Sequence, residues 1–214
     1  MKGMFDHVVD LAVVKGVAFV DGVGEAAFYG PKIDFIGTDA LGREFQAATI
    51  QLDFGQPEGF DLTCIDEQGE KERIVMVHCA VMGSLERCMV LLIEHYAGKF
   101  PTWLSPEQIR LVTVNQEEAT TSFSDSLLAK ARKLGLRVKV DNDNESVGKK
   151  IRSAELAKIP YVLVIGQKEI ETGEVVPRIR KDMEVSAVPE SRSVEEFLQT
   201  VANEVKSRVS KTSL

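Results

Sequence analysis

One histidine and one arginine flank the start of a predicted helix in the first half of the chain. His78 ends an apolar strand, and Arg87 lies in the first turn of the helix that follows, three residues after Ser84. Amide groups at a helix N-terminus attract anions, and a planar guanidinium binds phosphate through two parallel hydrogen bonds. The spacing therefore indicates an anion pocket, although an ion pair of Arg87 with Glu86 or Glu94 would account for the arginine equally well.

A second polar group lies on two predicted strands upstream. Tyr29 and Lys32 flank a Gly-Pro bend, and Gln46 and Gln51 interrupt a strand that is otherwise apolar. A buried amide requires hydrogen-bond partners, so two glutamines in such a strand indicate a polar pocket or an edge position. Because side chains alternate between the two faces of a strand, residues five apart point in opposite directions. Both glutamines can line one pocket only if a bulge intervenes.

Generic catalytic and membrane signatures are missing from the sequence. No P-loop, HExxH or GxSxG motif occurs, and the three histidines lack the spacing of a metal-ligand pair. No apolar run approaches the length of about 18 residues that spans a bilayer. The start Met1–His7 carries acid and histidine where a signal peptide would be apolar, and three cysteines without CxxC spacing fit reduced thiols. We therefore predict a cytoplasmic protein with no membrane partner.

Charge is distributed unevenly along the 214 residues. The formal net charge is -7, yet residues 130–181 hold 13 basic and 7 acidic residues. A local cationic surface is sufficient to bind a polyanion such as nucleic acid, because counterion release depends on that surface alone. A solvated face of lysines and arginines explains the same composition.

The elements that would position these residues differ between the two halves. The first half predicts antiparallel strands over 28–36, 44–54, 60–65 and 73–78, then a helix that Ser84 caps and Gly98 ends. The second half predicts strands over 109–114, 136–140, 161–165 and 174–180, which alternate with helices over 124–134, over 147–158 and from a capping box at Ser193. We therefore expect an α+β antiparallel unit followed by a layered α/β domain with a mixed sheet.

The segment Phe100–Pro106 is the predicted boundary between the two parts. It contains two prolines and has neither a helical nor a strand period. The expected domains are therefore residues 1–104 and 105–214.

Five blocks of the sequence resemble threonyl-tRNA synthetases in order and spacing. They are Phe28–Phe35, Ala48–Phe54, Val75–His78, Gly83–Arg87 and Glu94–Leu104. The similarity runs from about Gly24 to the C-terminal helix, whereas Met1–Val23 matches weakly. The resemblance implies the back half of a class II synthetase catalytic domain followed by the anticodon-binding domain. It implies a ligase that activates threonine with ATP and Mg and transfers it to tRNA(Thr).

The resemblance also implies roles for residues of the first half. Arg87 is similar to the arginine of the third class II motif, which binds the ATP γ-phosphate, and Ser84 beside it is a substrate-binding position. His78 is similar to one of three protein ligands of a zinc ion that holds the threonine amine and hydroxyl. Further site residues match by position: Tyr29 and Gln51 in the threonine pocket, and Lys32 and Gln46 at positions facing the adenylate or the tRNA 3′ end.

In the second half, four residues match positions of the family that contact the anticodon. They are Asn144, Arg152, Glu169 and Arg178. The resemblance therefore implies tRNA(Thr) as a partner of this half.

The sequence departs from the family pattern at several points. The first two class II motifs and the other two zinc ligands have no counterpart in it, so the zinc site is incomplete, and Cys79 and Ala26 stand where the family usually has arginine and glycine. We expect a ligase component that needs the upstream half, in cis or in trans, and the family's homodimer. The alternative is a non-catalytic tRNA-binding or regulatory module derived from such a synthetase.

Overall fold

The computed structural model describes residues 14–16, 18–183, 190–212 and 214. The chain divides into two compact units, Met1–Leu91 and Leu92–Leu214. The interpretation of Met1–His7 as a start without a signal peptide concerns residues that lie outside the described ranges.

The first unit contains a three-stranded antiparallel sheet and a small separate hairpin. Strands β1 (Lys32–Thr38), β2 (Glu44–Asp53) and β5 (Met76–Ala80) pair in the order β1-β2-β5. Strands β3 (Thr63–Ile65) and β4 (Lys71–Arg73) form the hairpin. Helix α1 (Gly55–Gly59) follows β2, and helix α2 (Leu85–Tyr96) follows β5. The predicted antiparallel sheet is confirmed.

The strand predicted over 73–78 is divided in two. Its first residue belongs to the hairpin, whose turn is closed by Asp66 Oδ1 accepting from the amides of Gln68 and Glu70 at 2.9 Å and 2.8 Å. Ile74 and Val75 lie between the strands, and Met76–Ala80 pairs with β2 instead. The tight turn fixes the short hairpin, so the remaining residues are free to extend the main sheet.

The second unit is a layered α/β domain with a mixed sheet, as predicted. Its sheet has the order β10-β8-β6-β7, in which β6 is parallel to β7 and β8, and β10 is antiparallel to β8. The elements in chain order are β6 (Ile109–Thr113), α3 (Glu118–Lys133), β7 (Val138–Asp141), α4 (Val147–Leu156), β8 (Tyr161–Ile165), α5 (Gln167–Thr172), β9 (Glu174–Val175), β10 (Arg178–Ile179), β11 (Arg192–Ser193) and α6 (Val194–Ser207). Within the described ranges no helix is long and apolar enough to cross a membrane.

The prediction of a single strand over 174–180 is wrong. Two short strands occupy these residues: β9 pairs with β11, and β10 pairs with the central sheet. Pro177 separates them, because proline has no amide hydrogen to donate to a ladder. The predicted turn at Glu171–Gly173 is the end of α5, where Gly173 takes φ +67° as the helix C-cap.

The main hydrophobic core lies in the second unit. Helices α3 and α6 pack against the sheet through buried residues that include Leu127, Leu163, Phe197 and Val201. A smaller cluster around Ala154 joins α4 to β6 and β8. Both clusters are built from strands and helices that alternate along the sequence. For this reason the apolar periodicity of the second half was sufficient to predict its main helices and strands.

The proline-containing segment after α2 is packed rather than exposed. Pro101, Thr102 and Ser105 are buried. Arg137 donates to the carbonyls of Ser105 and Trp103 at 2.8 Å each, and Arg180 Nη2 donates to Phe100 O at 2.9 Å. These bonds place the segment within the second compact unit, whose limit at Leu92 precedes the predicted boundary at 104/105.

We expect Tyr161→Phe to destabilise the second unit. Tyr161 is fully buried and its hydroxyl donates to Glu204 Oε2 at 2.6 Å. Burial and the charge of Glu204 raise the pKa of Tyr161, so the phenol remains a donor at neutral pH. Its loss leaves a buried carboxylate with one donor fewer, which costs about 1–3 kcal/mol. Denaturant titration followed by fluorescence of Trp103, the single tryptophan, measures this difference.

The matched control for this variant is Tyr96→Phe. Tyr96 is half-buried, and its hydroxyl makes no hydrogen bond within the described ranges. Equal unfolding free energies for the two variants would show that the Tyr161 hydroxyl is not a stabilising donor.

Candidate functional site

An extra residue in β2 places the polar side chains of the first sheet on one face. The pairing register shifts between Phe35 and Ile36 of β1, which leaves Ala47 of β2 unpaired. A bulge of this kind shifts the alternation of side chains by one residue. Gln46 therefore lies on the same face as Gln51, the arrangement that strict alternation forbids.

Asp34 on β1 holds two of the predicted site residues. Its Oδ1 accepts from Gln46 Nε2 at 2.6 Å and from Thr49 Oγ1 at 2.8 Å, and its Oδ2 lies 2.5 Å from Lys32 Nζ. Partial burial opposes ionisation, yet the hydrogen bonds from Lys32, Thr49 and Gln46 hold the pKa of Asp34 below its ordinary value. The ionised carboxylate therefore fixes Lys32 and Gln46 on the polar face.

Tyr29, Gln51 and His78 form a second cluster on this face. The Tyr29 hydroxyl donates to Gln51 Oε1 at 2.9 Å, and Gln51 lies directly opposite His78 across β2 and β5. The rings of Tyr29 and His78 meet edge to face with their centroids 6.1 Å apart. A phenol, an amide and an imidazole thus converge on one polar patch, which suits binding of a small polar ligand.

The imidazole of His78 is oriented by a buried carboxylate. His78 Nε2 lies 2.8 Å from Oδ2 of Asp53, and Asp53 Oδ1 accepts from the amide of Gln56 at 2.9 Å. The hydrogen bond from Gln56, followed by that from His78, holds the pKa of Asp53 below its ordinary value. An ionised carboxylate only accepts hydrogen bonds, so Nε2 of His78 donates to Asp53 and this bond fixes the orientation of the ring.

Ser84 and Arg87 lie at the start of α2, beside the bulge. Ser84 Oγ accepts from the Arg87 amide at 3.2 Å, as expected for a helix cap. Gly83 has φ +57°, and a Cβ there would lie 2.8 Å from the carbonyl of Ala47, so only glycine permits this approach. The Arg87 side chain is exposed and forms no ion pair within the described ranges.

Two of the four predicted anticodon contacts follow the carboxyl ends of parallel strands in the second unit. Asn144 follows β7, which ends at Asp141, and its side chain is exposed. Glu169 follows β8, and its Oε2 accepts from the Gly166 amide at 2.9 Å, which fixes the carboxylate at the start of α5. Carboxyl ends of parallel strands meet at one edge of a sheet, where ligands commonly bind.

Arg152 and Arg178 lie on flanking elements. Arg152 is exposed on α4, and Arg178 is exposed on β10 opposite Val162. Strands β10 and β7 are the two outer strands of the sheet, with β8 and β6 between them.

Comparison with protein families matches both halves of the chain. Residues 2–96 match the tRNA synthetase class II core domain (G, H, P, S and T), and residues 108–204 match the anticodon binding domain. A threonine–tRNA ligase of Clostridium botulinum strain Okra is 46% identical over 185 residues, and one of Geobacter sp. strain M21 is 50% identical over 184 residues. Each alignment covers 86% of this chain and 28% of the relative.

The chain belongs to the threonyl-tRNA synthetase family. A solved structure described as the RNA binding domain of threonyl-tRNA synthetase from Cryptosporidium parvum Iowa II agrees in fold, with a TM-score of 0.70 and 35% identity. That similarity covers 84% of this chain and 44% of the solved chain. The chain thus spans less than a third of the length of the curated relatives it matches.

The described residues do not complete the zinc site that the threonyl-tRNA synthetase resemblance implies. Zinc in proteins takes at least three protein ligands, and His78 is the one predicted ligand here. In the described part of the chain no group of three or more His, Cys, Asp or Glu side chains could share a metal ion. Asp53 supports His78 in the manner of an outer carboxylate that orients a ligand, but further donors would have to come from elsewhere.

Sequence reasoning missed the carboxylates that organise the polar face. Asp34 follows Lys32 by two positions, and Asp53 follows Gln51 by two positions. Residues two apart on a strand share a face, so this spacing was a usable signal. Neither residue was predicted as part of the site.

We expect Asp34→Asn to destabilise the first unit in a pH-dependent way. Because the folded state lowers the pKa of Asp34, the ionised carboxylate stabilises the fold at neutral pH. That stabilisation is lost as the pH falls from the unfolded-state value near 3.9 through the folded-state pKa. The unfolding midpoint of Asp34→Asn should therefore lie below that of the unsubstituted chain at pH 7 and approach it below about pH 4.

Urea titrations followed by circular dichroism at several pH values measure this effect. Glu67→Gln, on the exposed hairpin turn, is the control for removing one carboxylate. A difference between Asp34→Asn and the unsubstituted chain that stays constant with pH would contradict the assignment.

Proposed function

We propose that the chain is a component of a threonine–tRNA ligase that carries part of the aminoacyl-adenylate site and the anticodon-binding domain. The observation that supports this most strongly is the polar face of the first sheet. Tyr29, Lys32, Gln51 and His78 share this face, and the bulge at Ala47 brings Gln46 onto it as well. The domains of this proposal are residues 1–104 and 105–214, acting in the cytoplasm.

The polar face divides into two neighbouring parts with different tasks. Tyr29 and Gln51 bind threonine, and a metal-binding role of His78 requires ligands from outside the described residues. Lys32 and Gln46, held by Asp34, face the adenylate or the tRNA 3′ end. The ammonium and the amide supply donors to the phosphate and carboxyl oxygens on which negative charge develops.

Arg87 and Ser84 bind the nucleotide at the start of α2. Arg87 is exposed and forms no ion pair within the described ranges, so its guanidinium is available to donate hydrogen bonds to the γ-phosphate of ATP. ATP binds as a substrate together with Mg. Ser84 caps the helix whose amide groups add to the attraction of an anion. The ligase reaction joins the threonine carboxyl to AMP and releases pyrophosphate before the aminoacyl group moves to tRNA(Thr).

The second unit binds the anticodon loop of tRNA(Thr). Asn144 follows β7 and Arg152 lies on α4, whereas Glu169 lies on α5 after β8 and Arg178 lies on β10. Arg178 donates to a guanine edge, and the carboxylate of Glu169 accepts from the amino and imino groups of the same base. Threonine codons share their first two bases, so the anticodon bases read are G and U.

A non-catalytic tRNA-binding or regulatory module is the second candidate function. The distribution of buried residues favours it, because the fully buried aliphatic and aromatic side chains described all belong to the second unit. The first unit exposes large apolar side chains, including Phe28, Phe35 and Val77. Complementation by an upstream polypeptide, or by a second copy of the chain, distinguishes a ligase component from such a module.

We expect the purified chain alone to catalyse no threonine-dependent ATP–pyrophosphate exchange. The sequence has no counterpart of the second-motif arginine, and one such charge-stabilising group is worth ~3–4 kcal/mol in the transition state. The full-length Geobacter relative is the positive control, and its upstream segment added to this chain is the complementation arm. Exchange above background by the chain alone would overturn this prediction.

We also expect Arg178→Ala to weaken base-specific binding of the anticodon loop. A side chain that reads a base contributes ~1–3 kcal/mol of discrimination, whereas a phosphate contact contributes equally to all sequences. The control is Lys149→Ala, since Lys149 is exposed and paired only with Glu145 within the described ranges. Binding of the full chain to matched and mismatched anticodon stem-loops is measured for both variants. If Arg178→Ala weakens both loops equally, Arg178 is a phosphate contact.

A further inference from the structure

A buried lysine in the second unit has no acidic partner within the described ranges. Lys150 on α4 is 3% exposed, and its Nζ donates to Thr113 O at 3.0 Å and lies 3.4 Å from Thr113 Oγ1. The neighbouring Lys149, by contrast, is exposed and forms an ion pair with Glu145. Burial of an ammonium group is costly unless it gains strong interactions. A lysine buried at this position therefore points to a task that depends on its hydrogen bonds to Thr113.

Thr113 connects this ammonium group to the loop after β7. It is the last residue of β6, and it is fully buried. Its Oγ1 donates to Asn142 Oδ1 at 2.9 Å while a lone pair faces Lys150. Gln116 Nε2 donates to Asn142 O at 2.8 Å. Asn142 is therefore held through its side chain and its backbone, two residues before Asn144.

Lys150 also fixes the helix that carries the neighbouring contact residue. It lies two positions before Arg152 on α4. Its bond to the Thr113 carbonyl ties the first half of α4 to the end of β6. The loop with Asn144 and the helix with Arg152 thus share one anchor, the last residue of β6.

We propose that Lys150 is a positioning residue for anticodon reading, which acts through Thr113 to set the placement of Asn144 relative to Arg152. This inference rests on the proposed function of those two residues in binding the anticodon loop. Exposed side chains on a loop and a helix discriminate between bases only when their backbones are held in register, within about 0.5 Å. Lys150 bonds to Thr113 at the end of β6 and thereby holds α4 in register with that strand. An ion pair within one segment, such as that of Lys149 with Glu145, does not connect α4 to the sheet.

The test compares Lys150→Met with Lys149→Met in the full chain. Binding is measured to the tRNA(Thr) anticodon stem-loop and to loops with one anticodon base replaced. Lys150→Met should weaken the matched loop about tenfold, the loss of one base-reading contact, and leave mismatched loops nearly unchanged. Lys149→Met should change all loops by the same small factor. An unchanged ratio of matched to mismatched affinity in Lys150→Met would overturn the proposal.

Two further variants separate positioning from loss of folding. Lys150→Gln keeps a donor for the Thr113 carbonyl and should restore most of the discrimination. Thr113→Val keeps the shape of the side chain but removes the link to Asn142, so it should lower discrimination while Trp103 fluorescence reports a folded unit. If Lys150→Met fails to fold, full discrimination by Thr113→Val overturns the proposal.

The unsubstituted chain separates this proposal from the proposed function. If it does not distinguish matched from mismatched loops, the anticodon-binding function itself fails. If it does distinguish them and the Lys150 and Thr113 variants do so equally well, only the positioning role of Lys150 fails.

Discussion

The unpaired Ala47 in β2 determines which side chains of the first unit can act together. Without it, Gln46 would lie on the face opposite Gln51, and Asp34 could not accept its hydrogen bond. The same residue forms the close contact with Gly83 that brings the start of α2 to the sheet. One irregularity of pairing therefore supports both the polar face and the placement of Arg87.

Hydrogen-bonded carboxylates perform in the first unit the organising task that apolar packing performs in the second. Asp34 and Asp53 each join residues from different elements, and the pKa of each is held low by the donors around it. The second unit instead buries a continuous apolar core between its sheet and helices α3 and α6. This difference explains why the polar face depends on charge state and the anticodon-binding unit on packing.

The carboxyl edge of the second sheet combines a buried strand end, Thr113, with two exposed polar residues, Asn144 and Arg152. Buried Thr113 and Lys150 lie beneath the loop and helix that present Asn144 and Arg152. Such a layered arrangement leaves the two side chains exposed to solvent while buried polar bonds hold the backbone beneath them.

The sequence alone determined the order of the longer helices and strands, the two fold classes and the family. Its periodicity was sufficient because each helix and strand of the second unit buries one regular face. The motif blocks also contain Tyr29, Lys32, Gln51 and His78, the predicted site residues that the structure places on one face of the first sheet. Pro177 was visible as well, yet its effect of dividing one predicted strand into β9 and β10 was not anticipated.

Only the tertiary structure decided which of these residues meet. The five-residue spacing of Gln46 and Gln51 raised the possibility of a bulge in β2, but only the pairing with β1 shows that it exists and lies at Ala47. The packing of Phe100–Ser105 likewise depends on Arg137 and Arg180, which are distant in sequence. Local patterns report which face of an element is apolar, whereas register and buried polar contacts are fixed by partners far along the chain.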